Sequence, residues 1–297
     1  MKKQLIVLSY LVFHVFFAHS VNFHAYKPLF VRHKKKEFCY ISFVDINGTS
    51  YITKQKRQCS FFLSVVYDVL ASRIAESLDN KIAHKVILIP ASQKFLGKKY
   101  RDWPATLHTI VPGKSILDQR SSYSNINLRQ AIHGFTREMI YWMSKHKDLP
   151  AIVALDIFLC NHDRHRGNLF YNRKTDSFYA IDMDLLFESR LARLAIYNLR
   201  RMSSSDIAGL TEKEVRALCR LRTMLERLVD QHDAESMVQL FDTLIEEAGL
   251  MSSCSYLNVE MVSNTIAETR EKIRENYEDT KELIVVLSHI VDTSLKR

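Results

Sequence analysis

One stretch of the sequence, and a short segment after it, carry side chains that suit the transfer of a phosphoryl group. Asp163 and Asn168 lie within a run of histidines and arginines, and Asp182 and Asp184 follow Asn168 by 14 and 16 residues. Such a transfer requires a carboxylate that orients the attacking hydroxyl, ligands for a metal ion that bridges the phosphates, and a cation on the nucleotide. Magnesium prefers oxygen ligands and takes one or two carboxylates besides the phosphates. The spacing is therefore typical of metal-dependent phosphoryl transfer.

These residues also resemble a known group of enzymes. The sequence from Asp163 to Asn168 (Asp-Arg-His-x-x-Asn), followed by Ile181-Asp182, is similar to the catalytic and metal-binding loops of atypical kinases. The group includes the phosphoinositide 3/4-kinases, the HipA-type bacterial kinases and the secreted Fam20-like kinases. The resemblance covers about residues 25–190. It includes Ser50–Lys56, which is similar to the strand that carries the nucleotide-binding lysine of these kinases. It also includes Asp68–Ala75, similar to the helix that supplies the acidic partner of that lysine, and Ala154–Leu159, similar to the helix that enters the catalytic loop.

The resemblance implies a role for each residue of the catalytic and metal loops. Asp163 would orient or deprotonate the acceptor hydroxyl, while Arg164 and His165 would brace the catalytic loop around it. Asn168 and Asp182 would hold Mg²⁺ or Mn²⁺. The implied cofactors are thus ATP and one of these metal ions.

The same resemblance assigns residues to the nucleotide. Lys54 would contact the α- and β-phosphates of ATP, and Asp68 would pair with Lys54. Relatives usually have Glu in place of Asp68, and Glu76 is the alternative partner. Asp184 stands where many relatives have Gly, so it is either a second metal ligand or an exposed acid. Val111, at the predicted junction of two lobes, is also assigned to the nucleotide site.

The first third of the chain is predicted to be rich in β-strands. Asn47-Gly48 supplies the two positive-φ positions of a type I′ turn between the strands Tyr40–Ile46 and Thr49–Lys54. The other predicted elements are a strand at Lys27–Val31, a helix at Phe61–Leu78, and strands at Lys85–Ile89 and Leu107–Val111. The basic turn Arg32–Lys36 contains no glycine, so its side chains, rather than backbone N–H groups, would face the nucleotide phosphates.

The rest of the chain is predicted to be helical. Helices are expected near 128–146 and 150–160 and over most of 206–294, and a capping box of Thr211 and Glu214 begins one of them. The fold class is therefore α+β, a two-lobed protein-kinase-like fold. Residues 21–111 would form a small β-rich N-lobe and 112–297 a larger, mostly helical C-lobe. In the C-lobe, residues 161–168 would form the catalytic loop and 181–187 the metal loop.

Positive charge is concentrated in one part of the chain. The net charge is +9, and residues 21–101 hold 15 Lys and Arg against 5 Asp and Glu, whereas the residues after 101 hold 25 against 28. A chain that is basic only in its first third favours a local anionic partner over a nucleic-acid coat. The candidates are nucleotide phosphates, an anionic membrane surface and an acidic substrate, and no nucleic-acid partner is expected.

The first twenty residues have the pattern of a secretory signal peptide. Met1-Lys2-Lys3 precedes the apolar run Leu5–Ala18, and Ala18-His19-Ser20 forms a small-x-small end. The run is short for a membrane span, which needs ~20 residues. Export with removal of residues 1–20 is therefore expected, and an uncleaved anchor over 4–18 or a buried first strand are the alternatives. The five cysteines form no CxxC pair, which excludes metal-finger spacing and a dense disulfide framework.

Several reactions fit this site. Phosphoryl transfer to a hydroxyl of a protein is the leading interpretation, and a phosphoinositide or another small polyol is the second acceptor. Related folds can also transfer AMP from ATP, and a pseudokinase would keep the fold without turnover. A secreted metal-dependent nuclease is a further alternative, because Asp163-Arg164-His165 resembles the Asp-Arg-Gly-His loop of ββα-metal nucleases. That loop has its histidine one residue later, and it gives Lys54 and Asp182 no role.

Overall fold

A small antiparallel sheet precedes a larger helical region in the part of the chain that the structure describes. The computed structural model describes residues 39–46, 48–56, 63–78, 82–91, 104–118, 135–253 and 259–296. The sheet has the order β1-β2-β4-β3, with strands β1 (Cys39–Ile46), β2 (Thr49–Lys56), β3 (Val86–Ile89) and β4 (Ala105–Thr109). The predicted two-lobed α+β fold is confirmed.

A tight hairpin brings β1 and β2 together. Ile46 pairs with Thr49, and Gly48 in the connection has a φ of 77°, in the left-handed region that glycine adopts at little cost. The Asp45 side chain stabilises this turn, because its Oδ1 accepts a hydrogen bond of 2.9 Å from the backbone N–H of Gly48. The hairpin fixes the register of β2, and with it the face of the sheet on which Lys54 lies.

One helix packs against this sheet. Helix α1 (Ser64–Ala75) is buried along nearly its whole length, and of its residues only Arg73 is not buried. The sequence predicted a longer helix, Phe61–Leu78; the observed one ends at Ala75, after which Leu78 still packs into the core. A helix so fully buried is fixed by tertiary packing rather than by helix propensity.

The strand β4 and the segment that follows it join the two lobes. Its predicted range, Leu107–Val111, is shifted by two residues, because Thr109 is the last residue of β4 that pairs with β2. Residues 110–113 then leave the first sheet and lead to the two-residue strand β5 (Lys114–Ser115), which pairs with the C-lobe strand β6 (Leu169–Asn172). Gly113 has a φ of 106°, and a Cβ added there would lie 2.5 Å from the carbonyl oxygen of Tyr171. Only glycine fits at this close approach.

The C-lobe consists of helices around a second, smaller sheet. Its helices are α2 (Arg137–Lys145), α3 (Leu149–Phe158), α4 (Leu191–Arg200), α5 (Ser204–Ala208), α6 (Glu212–Gln231), α7 (Ala234–Ala248), α8 (Leu250–Ser253) and α9 (Val259–Leu295). The second sheet has the order β5-β6-β7, with β6 at Leu169–Asn172 and β7 at Ser177–Ala180. The predicted capping box of Thr211 and Glu214 begins α6. Every residue of α3 is buried, so the rest of the C-lobe is built around this helix.

The long helix α9 supports the end of α3. Its buried Asn276 donates from Nδ2 to the carbonyl oxygens of Ile157 and Phe158, at 3.3 and 2.6 Å, and accepts from the Cys160 thiol at 2.9 Å. Burial raises the pKa of Cys160 to about 12, so this thiol stays protonated and donates. Asn276 thus satisfies the last carbonyls of α3, at the point where the chain turns toward the catalytic loop.

Some of the predicted features lie outside the described residues. They are the signal peptide over 1–20, the strand Lys27–Val31, the basic turn Arg32–Lys36, and the first part of the helix predicted near 128–146. Within the described residues, no helix is both long and apolar enough to span a membrane. The described cysteines Cys160 and Cys219 are free thiols.

Candidate active site

A buried ion pair fixes the catalytic loop to helix α3. The guanidinium of Arg164 donates from Nε and Nη2 to the two carboxylate oxygens of Asp156, both at 2.9 Å. Both side chains are fully buried. The remaining Nη1 donates to the carbonyl oxygens of Asn168 at 2.6 Å and Ile181 at 2.9 Å. Arg164 therefore braces the loop, and because it is fully buried it acts on the reaction only through the residues it positions.

Sequence reasoning missed the partner of Arg164. Asp156 also accepts a hydrogen bond of 2.8 Å from the side chain of Asn161, so a single carboxylate holds two residues of the loop. A signal was present in the sequence: Asp156 is the one charged residue in the otherwise apolar helix Leu149–Phe158. A carboxylate in a fully buried helix must be paired, because an unpaired buried charge is strongly destabilising.

Asp163 and Asn168 lie side by side on the catalytic loop. The Asn168 Nδ2 donates to the Asp163 backbone oxygen at 3.1 Å and to its carboxylate Oδ2 at 3.4 Å. The Asp163 carboxylate is about a quarter exposed, which lets an acceptor reach it, whereas Asn168 is buried. His165 is half exposed, and its Nδ1 accepts from the backbone N–H of Gly167 at 2.9 Å. Since the Asn168 nitrogen faces Asp163, its carboxamide oxygen is the atom suited to bind a metal ion.

The metal loop carries Asp182 in a special backbone conformation. The φ of Asp182 is 56°, in the left-handed region, which aspartate tolerates better than most residues. Backbone hydrogen bonds hold the loop on each side. The N–H of Ile181 donates to the backbone carbonyl oxygen of Asn168 at 3.1 Å, and the N–H of Phe187 donates to that of Leu159 at 3.2 Å. Such a conformation costs about 1–3 kcal/mol and persists only where surrounding contacts enforce it.

Lys54 lies at the centre of three carboxylates. Its Nζ is 3.2 Å from Asp68 Oδ2 and 2.8 Å from Asp184 Oδ2, and it also contacts Asp182 Oδ1. One carboxylate oxygen from each of the three acids lies within 4.8 Å of the others, an arrangement that could hold a metal ion. The structure thus brings Lys54, Asp68, Asp182 and Asp184 together, and Asp184 is buried rather than the exposed acid that was one of its two interpretations.

Burial and charge set the ionisation of this cluster. Burial lowers the pKa of Lys54, but the charges of Asp68, Asp182 and Asp184 outweigh it and hold that pKa well above its usual value. Burial raises the pKa of Asp68 to about 7 against the opposing effect of Lys54, and the neighbouring carboxylates of Asp184 and Asp182 raise it further. Lys54 is therefore a fixed cation, and burial makes the charge of Asp68 costly to maintain.

Helix α1 is tied to both sides of the cluster through Asp68. While Asp68 Oδ2 faces Lys54, its Oδ1 accepts a hydrogen bond of 3.0 Å from the backbone N–H of Met183, next to Asp182. The alternative partner, Glu76, follows the last residue of α1. The position of α1 is thus coupled to the conformation of the metal loop.

Val111, the other residue assigned to the nucleotide, is partly buried on the segment between β4 and β5.

A pair of buried histidines links the two lobes beside this cluster. His84 Nδ1 faces the Ala180 carbonyl oxygen at 3.2 Å, and His84 Nε2 lies 2.6 Å from His108 Nδ1. Because a carbonyl can only accept, His84 donates from Nδ1 and its Nε2 accepts from Nδ1 of His108. The other ring nitrogen of His108, Nε2, then accepts from the Thr106 hydroxyl at 2.7 Å. Burial lowers the pKa of His84 to about 4 and that of His108 well below its usual value, so both rings are neutral. Sequence reasoning missed this pair, since His84 lies just before β3 and His108 lies on β4.

Comparisons with known proteins find similarity in structure. No protein-family model matches the sequence, and no curated protein matches it. The chain is similar to the crystal structure of a Helicobacter pylori proinflammatory kinase, CtkA, at 12% sequence identity and a TM-score of 0.48, with 90% of this chain and 95% of that chain covered. The function of this chain is therefore inferred from its own side chains.

Proposed function

We propose that this chain is an ATP- and metal-dependent phosphotransferase that transfers the γ-phosphate to a hydroxyl group, in the first place one on a protein. The observation that carries the proposal is the convergence of Lys54, from the sheet, with Asp182 and Asp184, from the metal loop. Hydrogen bonds through Arg164 connect this cluster to the loop that bears Asp163. A lysine, metal-binding carboxylates and a separate, partly exposed carboxylate are the parts that phosphoryl transfer requires.

The donor set suits a hard divalent cation. Three carboxylates meet around a single lysine, and oxygen ligands are those that Mg²⁺ and Mn²⁺ favour. Asp182, Asp184 and the carboxamide oxygen of Asn168 would hold the ion. When bound, the ion would neutralise the charge of the phosphates.

The remaining steps belong to side chains of the chain itself. Lys54 would bind the α- and β-phosphates, and Asp163 would orient the acceptor hydroxyl and accept its proton as the new oxygen–phosphorus bond forms and ADP leaves. Arg164 fixes Asn168 and Ile181 relative to Asp156, which keeps the loop that carries Asp163 and the metal loop in register. Such positioning is a large part of catalysis in this class of reaction.

The first experiment is intact-protein mass spectrometry of the chain incubated with ATP and Mg²⁺ or Mn²⁺. Parallel reactions contain casein or phosphoinositide vesicles and [γ-³²P]ATP. We expect added phosphate that disappears in Asp163→Ala and Asp182→Ala and persists in Asp292→Ala, a control at an exposed aspartate of α9. An added nucleotide monophosphate would show AMP transfer instead. If ATP with metal neither stabilises the fold thermally nor labels any acceptor, the proposal is wrong.

The basic first third of the chain suits an acidic acceptor or an anionic membrane surface, and export through residues 1–20 stays a prediction. Neutralising Lys34, Lys35 and Lys36 together tests the first point: if the vesicle binding of this variant equals that of the wild type, these lysines do not form a lipid-binding surface.

A further inference from the structure

The Lys54 ammonium occupies the space between the carboxylates to which a metal ion would bind. Its Nζ lies 2.8 Å from Asp184 Oδ2 and 3.2 Å from Asp68 Oδ2, and it contacts Asp182 as well. Lys54 and Asp184 are each about nine-tenths buried, and Asp68 more so, so little water screens these three groups, whereas Asp182 is about a third exposed. A positive charge in this position performs the neutralising role of a bound cation.

We propose that Lys54 is an internal competitor of the metal ion, so that the site accepts the ion only when a polyphosphate draws Lys54 away from Asp182 and Asp184. This inference rests on the proposed function, because it concerns how the same site is loaded. The lysine cannot contact phosphates and hold all three carboxylates together, and the carboxylates it releases become available to the ion. Metal and nucleotide would therefore bind with positive cooperativity, which by linkage is the same in both directions.

Asp184 makes this competition strong in this chain. It adds a third carboxylate to the pair formed by Asp68 and Asp182, and its contact with Nζ is shorter than that of Asp68. Each added acid binds the ammonium more firmly, and each also offers the ion a ligand once the ammonium has moved. Asp184 thus raises the free-energy cost of metal binding in the absence of nucleotide, and it raises the affinity for the metal ion when nucleotide is bound.

The test measures Mn²⁺ binding to the full chain without nucleotide, by electron paramagnetic resonance of the free ion. The variants are Lys54→Met, which removes the charge but keeps an unbranched side chain, and Lys54→Arg, which keeps the charge. We expect Lys54→Met to bind Mn²⁺ at least about tenfold more tightly than the wild type, and Lys54→Arg to remain as weak as the wild type. Equal or weaker binding by Lys54→Met would overturn the proposal, because a lysine that merely supports the site could not oppose the ion.

A second measurement does not depend on the mutant alone. A non-hydrolysable ATP analogue should increase the Mn²⁺ affinity of the wild type more than that of Lys54→Met, after correction for Mn²⁺ bound by the free analogue. If Lys54→Met is unfolded by circular dichroism, Mn²⁺ without nucleotide should refold it and should leave the melting temperature of the wild type nearly unchanged. A large thermal stabilisation of the wild type by Mn²⁺ alone would also overturn the proposal.

These outcomes are separable from a failure of the proposed function. A protein that shows the expected order of metal affinities but labels no acceptor keeps the competition and loses the phosphotransferase assignment. A protein that transfers phosphate but binds Mn²⁺ equally well with and without Lys54 keeps the activity and loses the competition.

Discussion

Replacing Asp156 by alanine tests whether the buried ion pair of helix α3 is the anchor of the catalytic loop. The substitution removes both carboxylate oxygens that face the Arg164 guanidinium at 2.9 Å. It also removes the acceptor of the Asn161 side chain. The guanidinium stays fully buried, with its two remaining bonds directed to backbone carbonyls.

The expected loss follows from the unpaired charge. Removing one member of a buried ion pair costs about 3–5 kcal/mol, far more than the loss of a surface pair. For a chain of 297 residues, a loss of that order corresponds to a decrease of roughly 5–8 °C in melting temperature. The proposed phosphotransferase activity should decrease as well, because Asn168 and Ile181 would no longer be held by a fixed guanidinium.

The assay is urea unfolding monitored by circular dichroism, with Asp292→Ala as the matched control at an exposed position. The double variant Asp156→Leu, Arg164→Met separates the cost of an unpaired charge from the cost of a lost contact. Since an apolar pair of similar volume often replaces a buried ion pair without loss, the double variant should recover part of the stability. A decrease below about 1 kcal/mol in Asp156→Ala, or a double variant less stable than the single one, would refute the reasoning.

Three further predictions concern packing and protonation. Gly113→Ala should destabilise the fold by about 1–3 kcal/mol in urea unfolding, because its Cβ would meet the Tyr171 carbonyl at a positive φ; unchanged stability would mean that the segment can shift. Asn276→Ala should cost about 1–3 kcal/mol, since it removes the side-chain donor to the Phe158 carbonyl and the acceptor of the Cys160 thiol, whereas Asn264→Ala on the exposed face of the same helix should be neutral. The folded pKa of His84 lies below its unfolded value, so the stability it contributes is complete above about pH 6.5 and falls as the pH decreases toward about 4. The raised pKa of Asp68 acts in the opposite direction. The measurement is therefore the difference between wild type and His84→Gln at pH 7 and pH 5, and a difference independent of pH would contradict the neutral ring.

The local pattern of the sequence predicted most of the elements that carry the site. The Asn47-Gly48 pair specified the hairpin that positions Lys54, and alternation of apolar residues on either side of it specified the strands. Asp163 and Asp182 were assigned because their order and spacing resemble the catalytic and metal-binding loops of atypical kinases. In each case a few neighbouring residues contain the whole signal.

Contacts between distant segments were harder to predict. The pairing of His84 with His108 depends on the register of β3 and β4, and nothing local in either segment indicates it. The contact of Asp184 with Lys54 joins residues 130 positions apart, so its burial follows from how the lobes pack rather than from the metal loop itself. The end of β4 was misplaced for a similar reason, because pairing stops at Thr109 and Tyr51, before β2 itself ends, where residues 110–113 turn toward β5.

The hydrogen bonds of Asn276 impose an order on the synthesis of the molecule. Helix α3 and the catalytic loop leave the ribosome early, but the side chain that satisfies the last carbonyls of α3 is translated more than a hundred residues later. During that interval the beginning of the catalytic loop lacks one of its supports, even if the upstream sheet has already folded. A nascent chain therefore acquires this support of the loop only when α9 docks.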